Sequence, residues 1–312
     1  MVNEVIGALV GDGRERFVDG TVGEGGHAWA LLHAAGPSAR LLGLDRDPQA
    51  LERARERLAS LADRVQLMQG DFADLDELAP RAGWDRVDGI LLDLGLRSSA
   101  LDDPERGFAF GRPGPLDMRF DPARGEPASA LLARIRPDEL LRLLEEGTTR
   151  AAPRAIARAI LDCRRRSRIA RTEELVACLR AGLGARATPK LLASVFSTLR
   201  MAVNDELGSL EQALARLPHV LNPGGVLCVI AYQSQEDRRA KNLRRVSFVD
   251  PSSRVPFRMA PLWPKPLRPS LAEVHANRRA RSARLRAFRR APLPSSRKRG
   301  RRDRRERDRP AT

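Results

Sequence analysis

Asp19-Gly20-Thr21-Val22-Gly23-Glu24-Gly25-Gly26-His27 decides how this chain is read. The apolar run RFVDG ends at Asp19 and a helical pattern starts at Ala28, so a strand passes into a helix across a cluster of glycines. Glycine suits such a turn because the backbone must bend tightly and approach a ligand closely, leaving helix N-terminal amides for its polar groups. Gly23, Gly25 and Ala28 also satisfy the G-x-G-x-x-G/A spacing. Asp45 follows roughly 20 residues on, where a carboxylate takes both hydroxyls of a ribose. The spacing fits a nicotinamide dinucleotide as well as a sulfonium methyl donor. Asp19 favours the second, because a carboxylate before the glycines repels a pyrophosphate and attracts the ammonium of a methionine moiety.

Working outward, further apolar runs bounded by turn residues repeat the pattern: RLLGLD ending at Asp45, RVQLMQGD ending at Asp71, and VDGILLDLG with Asp93 near its end. Each brings a carboxylate to the C-terminal end of a strand, the end at which open α/β sheets bind ligands. Asp71-Phe72 sets an aromatic ring near the position of an adenine. Between the runs, Ala28 to Ala35 and Pro48 to Ala62 have helical spacing, the second with Leu51, Ala54, Leu58 and Leu61 on one face. The expected fold is Rossmann-like α/β with a mostly parallel sheet. A fifth strand, Gly225 to Ala231, follows the turn NPGG. Residues 122–204 between the fourth and fifth strands are nearly strand-free and helical in spacing, so they are read as an all-helical insert. The core is then divided into 1–121 and 205–290. Past the fifth strand we expect a Pro-rich loop from Pro251 to Pro269. A final edge strand should run from Ala283 to Phe288, its alternating arginines on a solvated face.

At 312 residues, with 42% hydrophobic and 31% charged side chains, the chain can bury a large core, and no apolar run approaches the ~18 residues of a membrane span. MVNEVIGALV has neither a basic leader nor a signal-type apolar core, so a cytoplasmic protein is expected. Cys163, Cys178 and Cys228 are odd in number and widely spaced, and are read as three reduced thiols. His27, His33, His219 and His275 are scattered, and no metal site is expected. The net charge of +16 is unevenly distributed: residues 275–312 hold 16 Lys+Arg against 3 Asp+Glu, leaving only +3 for the rest. The tail, 291–312, cannot bury a core and is expected to be disordered, either an electrostatic arm for nucleic acid or a solubilising extension.

Several blocks together carry a family resemblance. They are DGTVGEGGH (19–27), LDRDPQAL (44–51), DGILLDLG (88–95), RGFAFGRPGPLDMRFD (106–121), VNDEL (203–207), NPGG (222–225), SQEDR (234–238) and ANRRARSARLR (276–286). On these the chain resembles the RsmH (MraW) type of small-subunit ribosomal RNA methyltransferases over most of its length, up to Arg290. The glycine loop is shared by many methyltransferases, whereas the RGF…GPLDMR block is specific to this family. The resemblance implies a class I methyltransferase fold, S-adenosylmethionine as donor, and methylation of the exocyclic N4 amine of a cytosine in the decoding region of 16S ribosomal RNA. The implied partner is that RNA or the assembled small subunit, with the helical insert helping to recognise it. Gly25, Gly26, His27, Asp45, Phe72 and Asp93 are implied donor contacts, to which the loop reading adds Asp19 and Gly23. Three features depart from the family pattern. A start like HxPVLLEE is missing, so the first residues are expected to be absent; Ala100 replaces a Gln near the cofactor; and Gln233 replaces a His, and an amide cannot take a proton near neutral pH. These departures keep open a catalytically weakened RNA-binding or assembly factor, and a methyltransferase acting on another RNA.

A cytosine amine is a poor nucleophile because its lone pair is delocalised into the ring, so the site must accept hydrogen bonds from it. Asp93-Leu94-Gly95-Leu96 is not the [DN]PP[YF] tetrad with which many amine methyltransferases do this. The candidate acceptors are Asp117, Asn204, Glu236 and Asp237, set against a helix cap for Asn204 and a solvated helix start for the EDR run. Arg106, Arg112 and Arg119 are candidate RNA phosphate contacts, set against internal pairing with Asp102, Asp103, Glu105 and Asp121. The target amine lies on the base-pairing edge, so the cytosine must be unpaired or flipped out.

Overall fold

The computed structural model describes residues 1–147 and 152–294. Four short apolar runs form β1 (Arg16–Asp19), β2 (Arg40–Asp45), β3 (Val65–Gln69) and β4 (Val87–Asp93). They pair in parallel with one another and with β5 (Leu221–Ala231). Central strands of a parallel sheet are covered on both faces and so are apolar almost throughout, as Phe17, Val18, Leu41, Leu42, Ile90 and Leu92 are. Three further strands, β6 (Ser247–Val249), β7 (Pro256–Pro261) and β8 (Arg284–Pro292), complete an eight-stranded sheet of order β3-β2-β1-β4-β5-β8-β7-β6.

The last strands differ from expectation in two ways. β8 is not an edge strand, because it lies between β5 and β7 and is antiparallel to both. Arg284, Arg286 and Arg290 are paired, and Arg289 alone of its arginines is exposed. Arg286 donates to Asp237 at 2.7 Å, and Arg290 bonds Asp250 while stacking over the Phe257 ring at 4.0 Å. Alternation with arginine looks like a wet face in sequence, but partners on other elements cover it. Within the Pro251 to Pro269 stretch, β7 fits because its prolines stand at its two ends. The edge of the sheet is the three-residue β6.

The helices are α1 (Val2–Leu9), α2 (Gly26–Ala35), α3 (Pro48–Arg57), α4 (Leu75–Arg81), α5 (Ser98–Asp102), α6 (Ala128–Arg134), α7 (Pro137–Gly147), α8 (Pro153–Arg166), α9 (Thr172–Leu183), α10 (Pro189–Val203), α11 (Glu206–Val220), α12 (Ser234–Asn242) and α13 (Leu271–Ala276). The helix expected over Pro48 to Ala62 stops at Arg57 and continues as a 3-10 turn, Ala59–Arg64. α1 to α3 cover one face of the sheet, where Leu9, Leu31, Leu32, Leu51 and Leu58 pack on Phe17, Leu41 and Val226. α4, α11 and α12 cover the other through Leu75, Leu210, Leu217 and Ala240. A separate apolar cluster joins α6 to α10, and Ala100, Phe108, Leu116 and Met118 from the segment before them belong to it.

α8 and α9 pack against one another and bring Cys163 and Cys178 to a Cα separation of 5.8 Å, where they form a disulfide. This corrects the expectation of three reduced thiols; only Cys228 is free, and it is buried. A 15-residue separation carries no hint that two helices fold back on each other. Among the described residues no helix is long and apolar enough to cross a membrane and no cluster of potential metal ligands occurs. The tail expected from 291 starts later, because Ala291 and Pro292 pair with Arg258 and Phe257 as the end of β8, and from 295 onward it lies outside the described residues.

Candidate active site

The strand order reverses between β1 and β4, and their C-terminal ends open into a cleft of about 770 Å3, its mouth included. The position is the one that open α/β sheets use to bind ligands. Gly20, Thr21, Gly23, Asp45, Phe72 and Asp93 line it from the sheet side. Leu94 to Arg97, Ala100, Phe120, Glu206, Ser209 and Glu236 complete its lining.

The glycine loop is set by backbone geometry. Gly25 caps α2 with φ +79°, a left-handed conformation that a side chain would strain. The Gly23 amide donates to Asp45 Oδ2 at 2.9 Å, and the Asp47 amide to Asp45 Oδ1 at 2.9 Å. Asp45 thus ties the loop to the end of β2 while keeping lone pairs for further donors, as a carboxylate offers about four acceptor positions. Burial holds its carboxyl above the ordinary range, against the backbone hydrogen bonds that favour the ion. A pair of ribose hydroxyls would satisfy it.

Behind this layer lies a charged group of four. Asp19 is 2% exposed and accepts the Thr21 amide at 3.1 Å, so it does not itself line the cleft. Burial pushes its carboxyl up to about 7, although the charge of His27 works against this. His27 Nε2 lies 3.5 Å from Asp93 Oδ2. Burial disfavours the imidazolium, but the hydrogen bond and charge of Asp93, with the charge of Asp19, outweigh it and raise the His27 pKa. Tyr232 hydrogen-bonds Asp93, and burial drives its phenol far above its usual range. Its ring fills the space beside Gly95, where a Cβ would come within 2.7 Å of it.

The four candidate acceptors part company. Asp117 does not line the cleft: Arg119 donates to it at 2.9 and 2.7 Å, and these bonds hold its carboxyl low although burial alone would raise it. Asn204 has its whole amide engaged, accepting from the Phe120 amide and donating to the Met118 and Arg200 carbonyls, each at 2.8 Å. It pins the GPLDMR block to the end of α10. Asp237 pairs with Arg284 and Arg286. Glu236 alone of the four lines the cleft. Its Oε2 accepts the Tyr232 and Gln233 amides at 2.8 and 2.9 Å at the start of α12, while Oε1 is buried with no partner among the described residues. Burial pushes its carboxyl up to about 7 despite the two amide bonds. Gln233 is the N-cap of α12 and donates to Ser197 at 3.1 Å, a structural post.

The candidate phosphate contacts also separate. Arg106 is buried, pairing with Asp47 at 2.8 Å and donating to the Arg119 and Phe120 carbonyls, so no phosphate reaches it. Arg119 is held by Asp117, whereas Arg112 is half exposed and 3.6 Å from Asp102. Gly26 and His27 sit in the first turn of α2, not on the cleft surface. Sequence reasoning misses Arg97, Tyr232, Glu206 and Ser209. Tyr232 directly follows β5, and the missing side chain of Gly95 is the one signal for its ring. Glu206 and Ser209 arrive from α11, for which no strand-end pattern exists.

A cleft at this switch point, with a carboxylate for a ribose and a carboxylate–imidazole pair behind the glycines, places the chain among the Rossmann-like S-adenosylmethionine-dependent methyltransferases. The sequence profile of the MraW methylase family matches residues 1–291, and the chain belongs to that family. It is 42% identical over 282 residues to the ribosomal RNA small subunit methyltransferase H of Thermomicrobium roseum, covering 87% of this chain and 86% of that one. The protein of the same name from Syntrophotalea carbinolica is 40% identical over 303 residues, covering 93% and 96%.

Proposed function

We propose that the chain transfers a methyl group from S-adenosylmethionine to the exocyclic N4 amine of a cytosine in 16S ribosomal RNA, acting in the cytoplasm on that RNA or on the assembled small subunit. The observation that carries the chemistry is the unpartnered, buried Oε1 of Glu236 on the wall of the donor cleft. The names of the relatives carry the substrate class.

Bound S-adenosylmethionine supplies an electrophilic methyl on its sulfonium. Asp45 would take its ribose hydroxyls, and Phe72 with Leu94 to Leu96 would hold its adenine. Asp19, His27 and Asp93 form the charged floor beneath the methionine end, where a carboxylate field stabilises an ammonium. Glu236 Oε1 accepts an N–H of the cytosine amine, which turns the nitrogen lone pair toward the methyl and away from ring conjugation. As the new N–C bond forms and the methyl–sulfur bond breaks, its electron pair returning to sulfur as the neutral thioether of S-adenosylhomocysteine, the nitrogen becomes cationic and gives up a proton. A carboxylate whose pKa lies near the working pH is suited to receive it. Oε2 stays on its two amides, so the accepting oxygen keeps its place. The helical layer α6 to α10, residues 122–204, presents the RNA, and the basic tail adds salt-sensitive affinity.

The test incubates the full chain with labelled donor and small subunits from cells lacking the modification. Counts in 16S RNA are expected, with little in large-subunit RNA or transfer RNA. Transfer to another RNA instead, or tight donor binding without transfer to any of the three, would reject this reading.

A further inference from the structure

Arg97 and Ala100 lie three residues apart at the start of α5, and both line the donor cleft. Arg97 is the N-cap of α5, with ψ 144° outside the helical range, and Ala100 lies in the turn that follows. Ala100 presents only a methyl group to the cleft, while Glu206, Ser209 and Glu236 supply other polar side chains to its lining. The stem of Arg97 crosses the glycine loop, with Cδ 3.8 Å and Cγ 3.9 Å from the point a Cβ on Gly23 would occupy. Its head is fixed from one side. Nη2 bonds Asp47, whose Oδ1 accepts the Gln49 amide at 2.9 Å and whose Oδ2 also takes Arg106 at 2.8 Å. Two guanidiniums therefore share one carboxylate. Of the other acids close by, Glu24 pairs with Arg53 at 2.9 Å, and Asp45 accepts the Gly23 and Asp47 amides and keeps its remaining lone pairs for the ribose. Nη1 of Arg97 is buried and has no hydrogen-bond partner among the described residues. A buried charged donor without an acceptor is unfavourable, and it marks a place where a ligand completes the set.

S-adenosylmethionine, whose assignment to this cleft the inference rests on, carries a single anionic group, the α-carboxylate of its methionine end. A guanidinium is the side chain best shaped to hold a carboxylate through parallel N–H bonds. We propose that Arg97, through Nη1, is the anchor for the donor's α-carboxylate in this protein. Asp47 acts as its positioning partner, holding the fork against the glycine loop.

The test measures binding of three probes to the full chain by titration calorimetry: S-adenosylhomocysteine, decarboxylated S-adenosylmethionine and 5′-methylthioadenosine. Only the first carries the carboxylate, and the last lacks the amino-acid end altogether. In Arg97→Met, which keeps the apolar stem, affinity for S-adenosylhomocysteine should fall tenfold or more while the other two change less than twofold. Arg97→Lys, which keeps the charge without the fork, should lie between. A thermal melt of each variant checks that it is folded, and the lysine variant decides the matter if the methionine variant is not. Equal weakening of all three probes would assign Arg97 to the ribose or to loop stability and overturn the proposal, as would no weakening of any. A wild-type chain that binds none of the three would instead reject the donor cleft itself, and the proposal with it.

Discussion

Asp19→Asn removes a buried carboxyl whose pKa is pushed up to about 7, against 3.8 for the free side chain. Between those values the folded chain holds the proton more tightly than the unfolded chain. The unfolded state therefore binds fewer protons, and stability falls as pH rises across that window. None of the loss is present below 3.8, and all of it is present above about 7. From pH 5 to pH 7 each pH unit removes about 1.4 kcal/mol, so roughly 3 kcal/mol should be gone by pH 8. The asparagine does not titrate and escapes this loss. Its amide N–H group has its own desolvation cost, but that cost is constant with pH and cancels when the same two proteins are compared at two pH values. Urea unfolding of donor-free protein at pH 5, 6, 7 and 8 should show the variant gaining about 3 kcal/mol on the wild type across the series. Donor affinity should move the other way. The wild type should bind S-adenosylmethionine more tightly as pH rises toward 7, because the cationic ligand favours ionised Asp19, while the variant binds weakly throughout. Parallel stability profiles for the two proteins would refute the assignment of a strained, functional carboxylate.

Three further residues give outcomes of the same kind. Glu236→Gln keeps a carbonyl oxygen for the Tyr232 and Gln233 amides and turns an NH2 group toward the cleft, so kcat should fall roughly 100-fold with donor affinity unchanged. An equal loss of both would assign Glu236 to folding. In the wild type, kcat at saturating substrate should rise with pH and level off above about 7 as Glu236 ionises, and a flat profile over pH 6 to 8 would argue against its accepting a proton. Asn204→Ala deletes three hydrogen bonds of 2.8 Å and should lower stability by about 3 kcal/mol in chemical unfolding, and a change under 1 kcal/mol would show that the GPLDMR block does not depend on it. Cys163→Ser opens a link across 15 residues and should also lower stability by about 3 kcal/mol under oxidising conditions, with no effect under strong reductant.

The five parallel strands and the glycine loop were legible because each signal is local. A buried parallel strand must be continuously apolar, and a tight turn that receives a ligand must be glycine-rich. Asp45 was legible for the same reason, standing at a strand end at a fixed distance from the loop. Long-range partners were not. Arg284 and Arg286 give β8 the look of a wet edge, but β7 pairs along its far side and the distant Asp237 takes both arginines. Asp117 and Asn204 drew attention through the family-specific block, yet the structure engages both in holding that block in place. Glu236 and Asp237 are adjacent in sequence and alike in charge, but the first turn of α12 aims one into the donor cleft and the other at β8. The Cys163–Cys178 link depends on how two helices pack, which neither cysteine spacing nor helical periodicity encodes.

The central claim is methyl transfer to a cytosine amine, and locating the transferred methyl tests it most directly. Small subunits lacking the modification would be incubated with the full chain and deuterated S-adenosylmethionine, and the digested 16S RNA resolved into nucleosides by mass spectrometry. The labelled methyl is expected on N4 of cytidine and should be lost with Glu236→Gln. A labelled methyl on a ring carbon, on a ribose oxygen or on another base would contradict it.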